Sequence, residues 1–238
     1  MKPEISIIVP AHNEESNIAI CVSELVRVCK QLDYEIVLVD DASKDKTPAI
    51  VNYLGGKNKN IKVVHRKPPN GFGRAVKTGL SKASGDIIVF VMADLSDDPH
   101  TVPKLVQKIK DGYDIAIGSR FVHGGKVIDY PLSKYIAHRI YNKVVGLVFR
   151  AGIQDFSNAF KAYRRSVLEN IDVESNGFEI TAELILKAIV LKKAKIVEVP
   201  TTWRNRKKGK AKFTGLYMQG MKYGKIFLRC LELRLSQN

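Results

Sequence analysis

The stretch Ile87-Ile-Val-Phe-Val91-Met-Ala-Asp94-Leu-Ser96-Asp97-Asp98-Pro99 decides the fold class of this chain. Its first five residues are apolar and mostly β-branched, the composition of a strand buried on both faces. The run then meets three carboxylates within five residues, followed by a proline. A buried strand has no packing use for carboxylates at its end, whereas open α/β sheets bind ligands at the carboxyl ends of their strands. Asp94 is therefore expected to hold a metal ion or a phosphate-bearing ligand. Asp97 and Asp98, just before Pro99, read instead as helix-start residues, since an acidic N-cap followed by proline in the first turn is ordinary capping chemistry.

Working outward, four more short apolar runs bracket this one: Ile5–Val9, Glu35–Val39, Ile61–Val64 and Asp114–Ile117. Helical patterns at about 15–31, 45–54, 72–83 and 99–110 separate them. The alternation predicts an α/β fold, a mostly parallel sheet with helices on both faces. No internal repeat or low-complexity linker interrupts it.

Beyond Gly118 the pattern changes. Leu132, Ile136, Ile140, Val144, Leu147 and Val148 recur at helical spacing over 131–150, with Lys134, His138, Arg139, Lys143 and Arg150 on the polar side. A strand at 195–199 leads to Trp203 and the run Arg204–Lys212, in which six of nine residues are Lys or Arg. The segment 216–235 interleaves Met221, Ile226, Phe227, Leu231 and Leu235 with Lys222, Lys225, Arg229 and Arg234. Both helices fit a membrane interface; either also fits a helix packed on its own domain or on a partner subunit. Two such helices beside a basic loop favour the interface.

The bulk properties agree with a globular protein. The 238 residues are 45% hydrophobic and 26% charged, enough for a sizeable core and outside the disordered range. No run approaches the ~20 apolar residues that span a bilayer, and no secretory leader is evident at the N-terminus. The cytoplasm or its membrane face is the expected location. Cys21, Cys29 and Cys230 lack metal-ligand spacing and read as buried, reduced thiols. The net charge of +15 is lopsided: residues 1–120 carry 17 Lys+Arg against 15 Asp+Glu, and the rest 22 against 9. A polyanionic partner met by the C-terminal half is implied: an anionic membrane surface, nucleic acid or phosphorylated substrates.

Three strand ends carry polar clusters: Pro10-Ala-His-Asn-Glu-Glu15, Asp40-Asp-Ala-Ser43 and Ala93-Asp-Leu-Ser96. Parallel strands would gather them on one edge of the sheet. Carboxylates bind phosphates through a divalent cation, and Asp94 with Ser96 would offer oxygen ligands to Mg2+ or Mn2+. Asp41 suits a base or ribose contact, although Asp41-Ala-Ser43 also reads as a turn.

These clusters, with Gly71-Phe-Gly-Arg-Ala75, Gly118-Ser-Arg120, Asp155-Phe-Ser-Asn-Ala-Phe-Lys-Ala-Tyr-Arg164 and Arg206-Lys-Lys-Gly-Lys-Ala-Lys212, come in the order found in inverting family 2 glycosyltransferases of the GT-A (Rossmann-like) fold. The chain resembles their polyprenyl-phosphate branch, the dolichol-phosphate mannose and glucose synthases, over nearly its whole length. The resemblance implies a hexosyltransferase that moves mannose or glucose from a GDP- or UDP-sugar to a polyprenyl or dolichyl phosphate. It implies that Pro10, His12 and Glu14 line the ribose, Asp41 meets the base, and Asp94 and Ser96 hold Mg2+ or Mn2+. Arg206 and Lys212 would close over the diphosphate, and Arg120, Lys134 and His138 would face the acceptor phosphate. Two departures stand out. Met92 occupies a nucleotide-binding position where the family usually places the first Asp of Asp-X-Asp, and Ala211 replaces a common Ser. The first bears on nucleotide choice.

The expected organisation is a catalytic domain over 1–212 and a basic amphipathic helix over 213–238, with no transmembrane segment, bound peripherally to the cytoplasmic face of a membrane and leaving room for an anchoring partner protein. An acceptor phosphate is already ionised at neutral pH and needs no protein base. A saccharide-hydroxyl acceptor would need one, for which Asp155 and Glu179 are the candidates. A nucleic-acid-binding reading has only Trp203 and Phe213 flanking the basic run and leaves the acidic crevice unexplained.

Overall fold

The computed structural model of the protein describes residues 2–206 and 216–237. Its centre is a seven-stranded sheet made of β1 (Ile5–Ala11), β2 (Tyr34–Asp41), β3 (Ile61–Arg66), β4 (Ile87–Phe90), β5 (Ile115–Ser119), β7 (Lys161–Arg164) and β8 (Ile196–Pro200). The spatial order is β3-β2-β1-β4-β7-β5-β8. All neighbours run parallel except β7, which is antiparallel to both β4 and β5. Every residue of β1, β2, β4 and β5 is buried, because helices cover both faces.

One face is packed by α1 (Ile18–Val28), α2 (Thr47–Lys57) and α4 (Val102–Lys110), whose Leu25, Val51 and Leu105 join Ile7, Leu38 and Val89 in one apolar cluster. The other face takes α3 (Phe72–Lys82), α5 (Leu132–Phe149), α7 (Ile180–Lys192) and α8 (Leu216–Leu235), which contribute Val76, Phe149, Ile185 and Ile226 to a second cluster around Ile8 and Ile88. A single helical turn, α6 (Arg165–Leu168), follows β7, and a small parallel pair, β6 (Lys126–Ile128) with β9 (Thr202–Arg204), stands apart from the main sheet. Cys21, Cys29 and Cys230 are buried free thiols.

Three elements depart from the sequence expectation. β7 begins and ends in cations, yet Lys161 is fully buried in mid-sheet, its Nζ donating to the carbonyls of Phe156 (3.0 Å) and Asn158. α7 buries nine of its 13 residues, Thr181 and Glu183 among them, so it lacks the amphipathic period that marks a surface helix. α8 divides in two: Ile226 and Cys230 are buried against the domain beside α7, while Met218, Met221, Leu228 and Leu235 are exposed. The expected boundary at 212–213 lies outside the described residues. No helix among them is long and apolar enough to cross a membrane.

Candidate active site

Parallel pairing of β1 with β2 and β4 puts the three polar strand ends side by side. Each strand is followed by a residue in left-handed backbone conformation: Asn13 (φ 51°), Ala42 (φ 56°) and Leu95 (φ 59°). Two of these are neither Gly nor Asn, so the turns store strain of about 1 kcal/mol or more apiece, which is characteristic of binding edges. Together they help form one wall of a cavity of about 400 Å³, the size of a small-ligand site. Pro10, His12, Glu14, Asp41, Met92, Asp94, Ser96, Arg120, Lys134, His138 and Arg206 all line it. Lys212 lies outside the described residues.

At the β1–β2 end, His12 Nδ1 donates to the carbonyl of Asp41 at 2.7 Å, and its Nε2 faces the side-chain amides of Asn13 and Asn70 at 3.2 and 3.1 Å. Asp41 accepts from the Gly71 amide at 2.6 Å and pairs with Arg66. The turn after β2 is capped by Asp40, which accepts from Ser43 N at 3.2 Å. Asp41 lines the cavity with one carboxylate oxygen committed to Gly71 and the other to Arg66. The motif at Gly71–Ala75 is explained by close approach: a Cβ on Gly73 would stand 2.8 Å from the backbone of Ser175 and Asn176.

At the β4 end, Asp94 Oδ1 accepts from Ser96 N at 3.0 Å, while its Oδ2 pairs with Arg206 Nη2 at 2.5 Å. Arg206 Nη1 reaches Glu14 Oε1 at 3.2 Å. One guanidinium therefore bridges two carboxylates from different strand ends, in the place where a cation is expected. The donors are hard oxygens, as Mg2+ and Mn2+ require. Among the described residues no group of three or more His, Cys, Asp or Glu forms a protein-only metal cage. A cation at Asp94 would draw its remaining ligands from a diphosphate and water, which is how Mg2+ is usually held. The residues present fit that group. Met92 lines the cavity with a thioether where a carboxylate would sit.

The opposite end is basic and aromatic. Arg120 is buried in a two-pronged pair with Asp155 (Nε to Oδ2 2.8 Å, Nη2 to Oδ1 2.7 Å) and also donates to Ser157 Oγ and Tyr130 OH at 2.9 and 3.2 Å. Asp155, in turn, is held below the usual carboxylate range by Arg120 despite its burial. His138 contacts Tyr130 OH at 2.9 Å; burial and then the Arg120 charge depress its pKa to about 4. His138 is thus an uncharged hydrogen-bonding group at neutral pH. With the Arg120 charge offset by Asp155, Lys134 adds a second cation to this stretch of the wall. Tyr130 packs edge-on against Trp203, ring centroids 4.6 Å apart, and both rings line the cavity.

Neither expected base reaches the cavity wall. Asp155 is fully buried behind Arg120, and Glu179 accepts from the Gly177 amide at 3.0 Å. This removes the residues on which the hydroxyl-acceptor reading rested. The helix-start reading of the two aspartates also divides. Asp98 accepts from His100 N at 3.0 Å and is the cap. Asp97 is buried, lines the cavity and accepts from Asn158 Nδ2 at 3.0 Å. Burial raises its pKa to about 7. Asp97, Tyr130 and Trp203 are not legible in the sequence as site residues, and Asn158 is marked only by its place in the Asp155–Arg164 motif; for Asp97 the one signal is the doubling of Asp before Pro99, since one aspartate suffices as a cap.

A family model described as glycosyl transferase family 2 matches residues 6–172. This chain belongs to that family. It is 37% identical over 214 residues to a dolichol-phosphate mannosyltransferase of Pyrococcus furiosus, an alignment covering 89% of this chain and 60% of the relative. It is 32% identical over 216 residues to a polyprenol monophosphomannose synthase of Mycolicibacterium smegmatis, covering 88% of this chain and 80% of the relative. The chain therefore spans about three fifths of the first relative's length. Among solved structures, glucosyl-3-phosphoglycerate synthase of Mycobacterium tuberculosis with Mn2+, UDP and phosphoglyceric acid superimposes with a TM-score of 0.72 at 19% identity, covering 98% of this chain and 78% of that one. The likeness establishes the GT-A fold.

Proposed function

We propose that this chain transfers a hexose, mannose or glucose, from a GDP- or UDP-activated donor to a polyprenyl or dolichyl phosphate, with inversion at the anomeric carbon. The observation that carries the reading is one cavity with two chemically opposite ends. Glu14 and Asp94, bridged by Arg206, form one end; Arg120, Lys134 and His138 beside Tyr130 form the other. A nucleoside diphosphate with its divalent cation suits the first, a phosphate monoester the second, and the sugar falls between them. The names of the two mannosyl-transferring relatives support a polyprenyl-type acceptor.

A cation at Asp94, Mg2+ or Mn2+, would neutralise charge on the departing diphosphate. His12 and Glu14 would orient the ribose and Asp41 the base, and Arg206, released from the two carboxylates, would turn to the diphosphate. Lys134 and the remaining donors of Arg120 would hold the acceptor phosphate in line with the anomeric carbon. Positioning and charge neutralisation then suffice, because the attacking phosphate oxygen is already ionised. Asp155 fits this scheme as the counter-charge that fixes Arg120.

The acceptor's lipid chain places the enzyme at a membrane, on its cytoplasmic face in this reading. Leu132, Ile136, Ile140, Val144 and Leu147 form an exposed row along α5, with Arg139, Lys143 and Arg150 also exposed. The opposite side of α5 packs through Val145 and Phe149. The outer face of α8 adds Met218 and Met221. Such a surface suits the headgroup region of an anionic bilayer.

The test is a thermal-shift comparison of UDP- and GDP-sugars with and without Mn2+, followed by lipid extraction of radiolabelled product from membranes. One nucleotide should raise the melting temperature only with metal, and label should pass to the lipid phase. Asp94→Ala should keep its fold and lose about 100-fold or more of the transfer rate. Full activity in that variant, or label confined to the water phase, would refute the assignment.

A further inference from the structure

Asp97 has no task in the scheme so far. Its side chain is almost fully buried, at 4% exposure, and lines the same cavity as Asp94 and Arg120. One carboxyl oxygen, Oδ1, accepts from Asn158 Nδ2 at 3.0 Å. Asn158 is itself fixed by donating to the Gly118 carbonyl at 2.7 Å. The other oxygen, Oδ2, has no hydrogen-bond partner among the described residues. A buried acceptor left unsatisfied costs about 1–3 kcal/mol, so such an atom marks either strain or a ligand that is absent. The backbone here is pinned as well: Asp97 bridges to Trp203, and Asp98 N donates to Thr202 O at 3.1 Å. The carboxyl is therefore rigidly placed from two sides, which a merely tolerated acid does not need.

Its position supplies the ligand's chemistry. Asp97 sits within electrostatic reach of both Asp94, at the diphosphate end, and Arg120, at the acceptor end. In an in-line displacement the group between leaving diphosphate and incoming phosphate is the hexose. A hexose offers hydroxyl donors and no charge, and a buried carboxyl oxygen without a partner at the cavity wall accepts from a hydroxyl. We infer that Asp97 reads the sugar: its free oxygen accepts a hydrogen bond from one hydroxyl of the hexose being transferred, with Asn158 holding the carboxyl in register. This rests on the nucleotide-sugar reading above and deepens it, assigning donor selectivity for the sugar to a residue distinct from those that hold the nucleotide.

The experiment is a substitution crossed with deoxygenated donors. Asp97→Asn keeps the shape and one acceptor, and its melting temperature checks the fold. With the better of GDP-mannose and UDP-glucose, kcat/KM should fall about 10- to 100-fold, the range for leaving a buried hydrogen-bonding group unsatisfied. Binding of GDP or UDP with Mn2+ should be unchanged. Among donors lacking single hydroxyls, one should cost the wild type a similar factor and cost the Asp97→Asn variant nothing further. Additive losses with every deoxy donor would overturn the inference, as would an equal loss of nucleotide affinity. A drop in kcat that is the same for all donors would make Asp97 a base and overturn it too. If neither nucleotide binds with Mn2+, the donor reading itself falls, and this inference with it.

Discussion

At the scale of single residues, the Arg120 end of the cavity is governed by how its cations are shielded. His138 shows the effect most plainly, because burial and Arg120 hold its imidazole neutral down to about pH 4. Lys134 opposes its protonation as well, and Asp155 only partly offsets them. In the unfolded chain the same imidazole takes up a proton near its ordinary value of 6.5. Between those values the unfolded state binds more protons, so His138 makes the fold less stable as pH falls from 6.5 towards 4 and has no such effect above 6.5. The full loss is about 3 kcal/mol. Urea unfolding of wild type and His138→Gln from pH 7.5 to 4.5 should diverge, with the wild type losing stability relative to the variant on the acid side. Parallel curves would mean that the imidazole titrates freely.

At the scale of elements, glycine positions in α2 and α3 separate close approach from mere composition. Gly73 opens α3 against the backbone of 175–176 and keeps Gly71 N within reach of Asp41. Gly56, in α2, has open space on every side: a Cβ there would meet nothing within 4 Å. Gly73→Ala should therefore destabilise by about 1–3 kcal/mol and weaken nucleotide binding with it. Gly56→Ala should stabilise by about 0.5–1 kcal/mol. Chemical denaturation of the two variants checks both signs, and equal effects would remove the packing explanation of the Gly71–Ala75 motif. The same scale explains why β7 and α7 are hidden from a reading of the sequence. A strand with a cation at each end and a helix that buries Glu183 in an ion pair with Lys187 each obey tertiary burial, which local patterning does not encode.

For the molecule as a whole, charge and apolar surface converge on one side of function. The exposed row of α5 includes Leu132 at 71% and Leu147 at 69%, values no core-facing residue has. Vesicles rich in anionic lipid should sediment the protein, and added salt should weaken but not abolish binding, because both attraction to headgroups and apolar insertion contribute. Replacing Ile136 and Ile140 together by Ser should reduce vesicle binding at least about tenfold, since each buried Ile is worth about 1.5–3 kcal/mol. Their exposure means that the melting temperature should hold. Unchanged vesicle binding in the double variant would assign this face to something other than a membrane.

By itself the sequence determined six of the seven strands of the sheet, the covering helices of the first half and eleven of the residues that line the cavity. It could do so because buried parallel strands write continuous apolar runs, and polar residues at their ends stand out against them. Ile87–Val91 followed by Asp94 is the clearest case. Only the tertiary structure decided which carboxylates remain available. Asp155 disappears into its pair with Arg120, Asp94 shares Arg206 with Glu14, and Asp97 enters the cavity while its neighbour Asp98 caps a helix. Adjacent residues of the same type are indistinguishable in sequence. Their chemistry diverges because burial and partners from distant segments, Asn158 above all, set what each carboxyl can still accept.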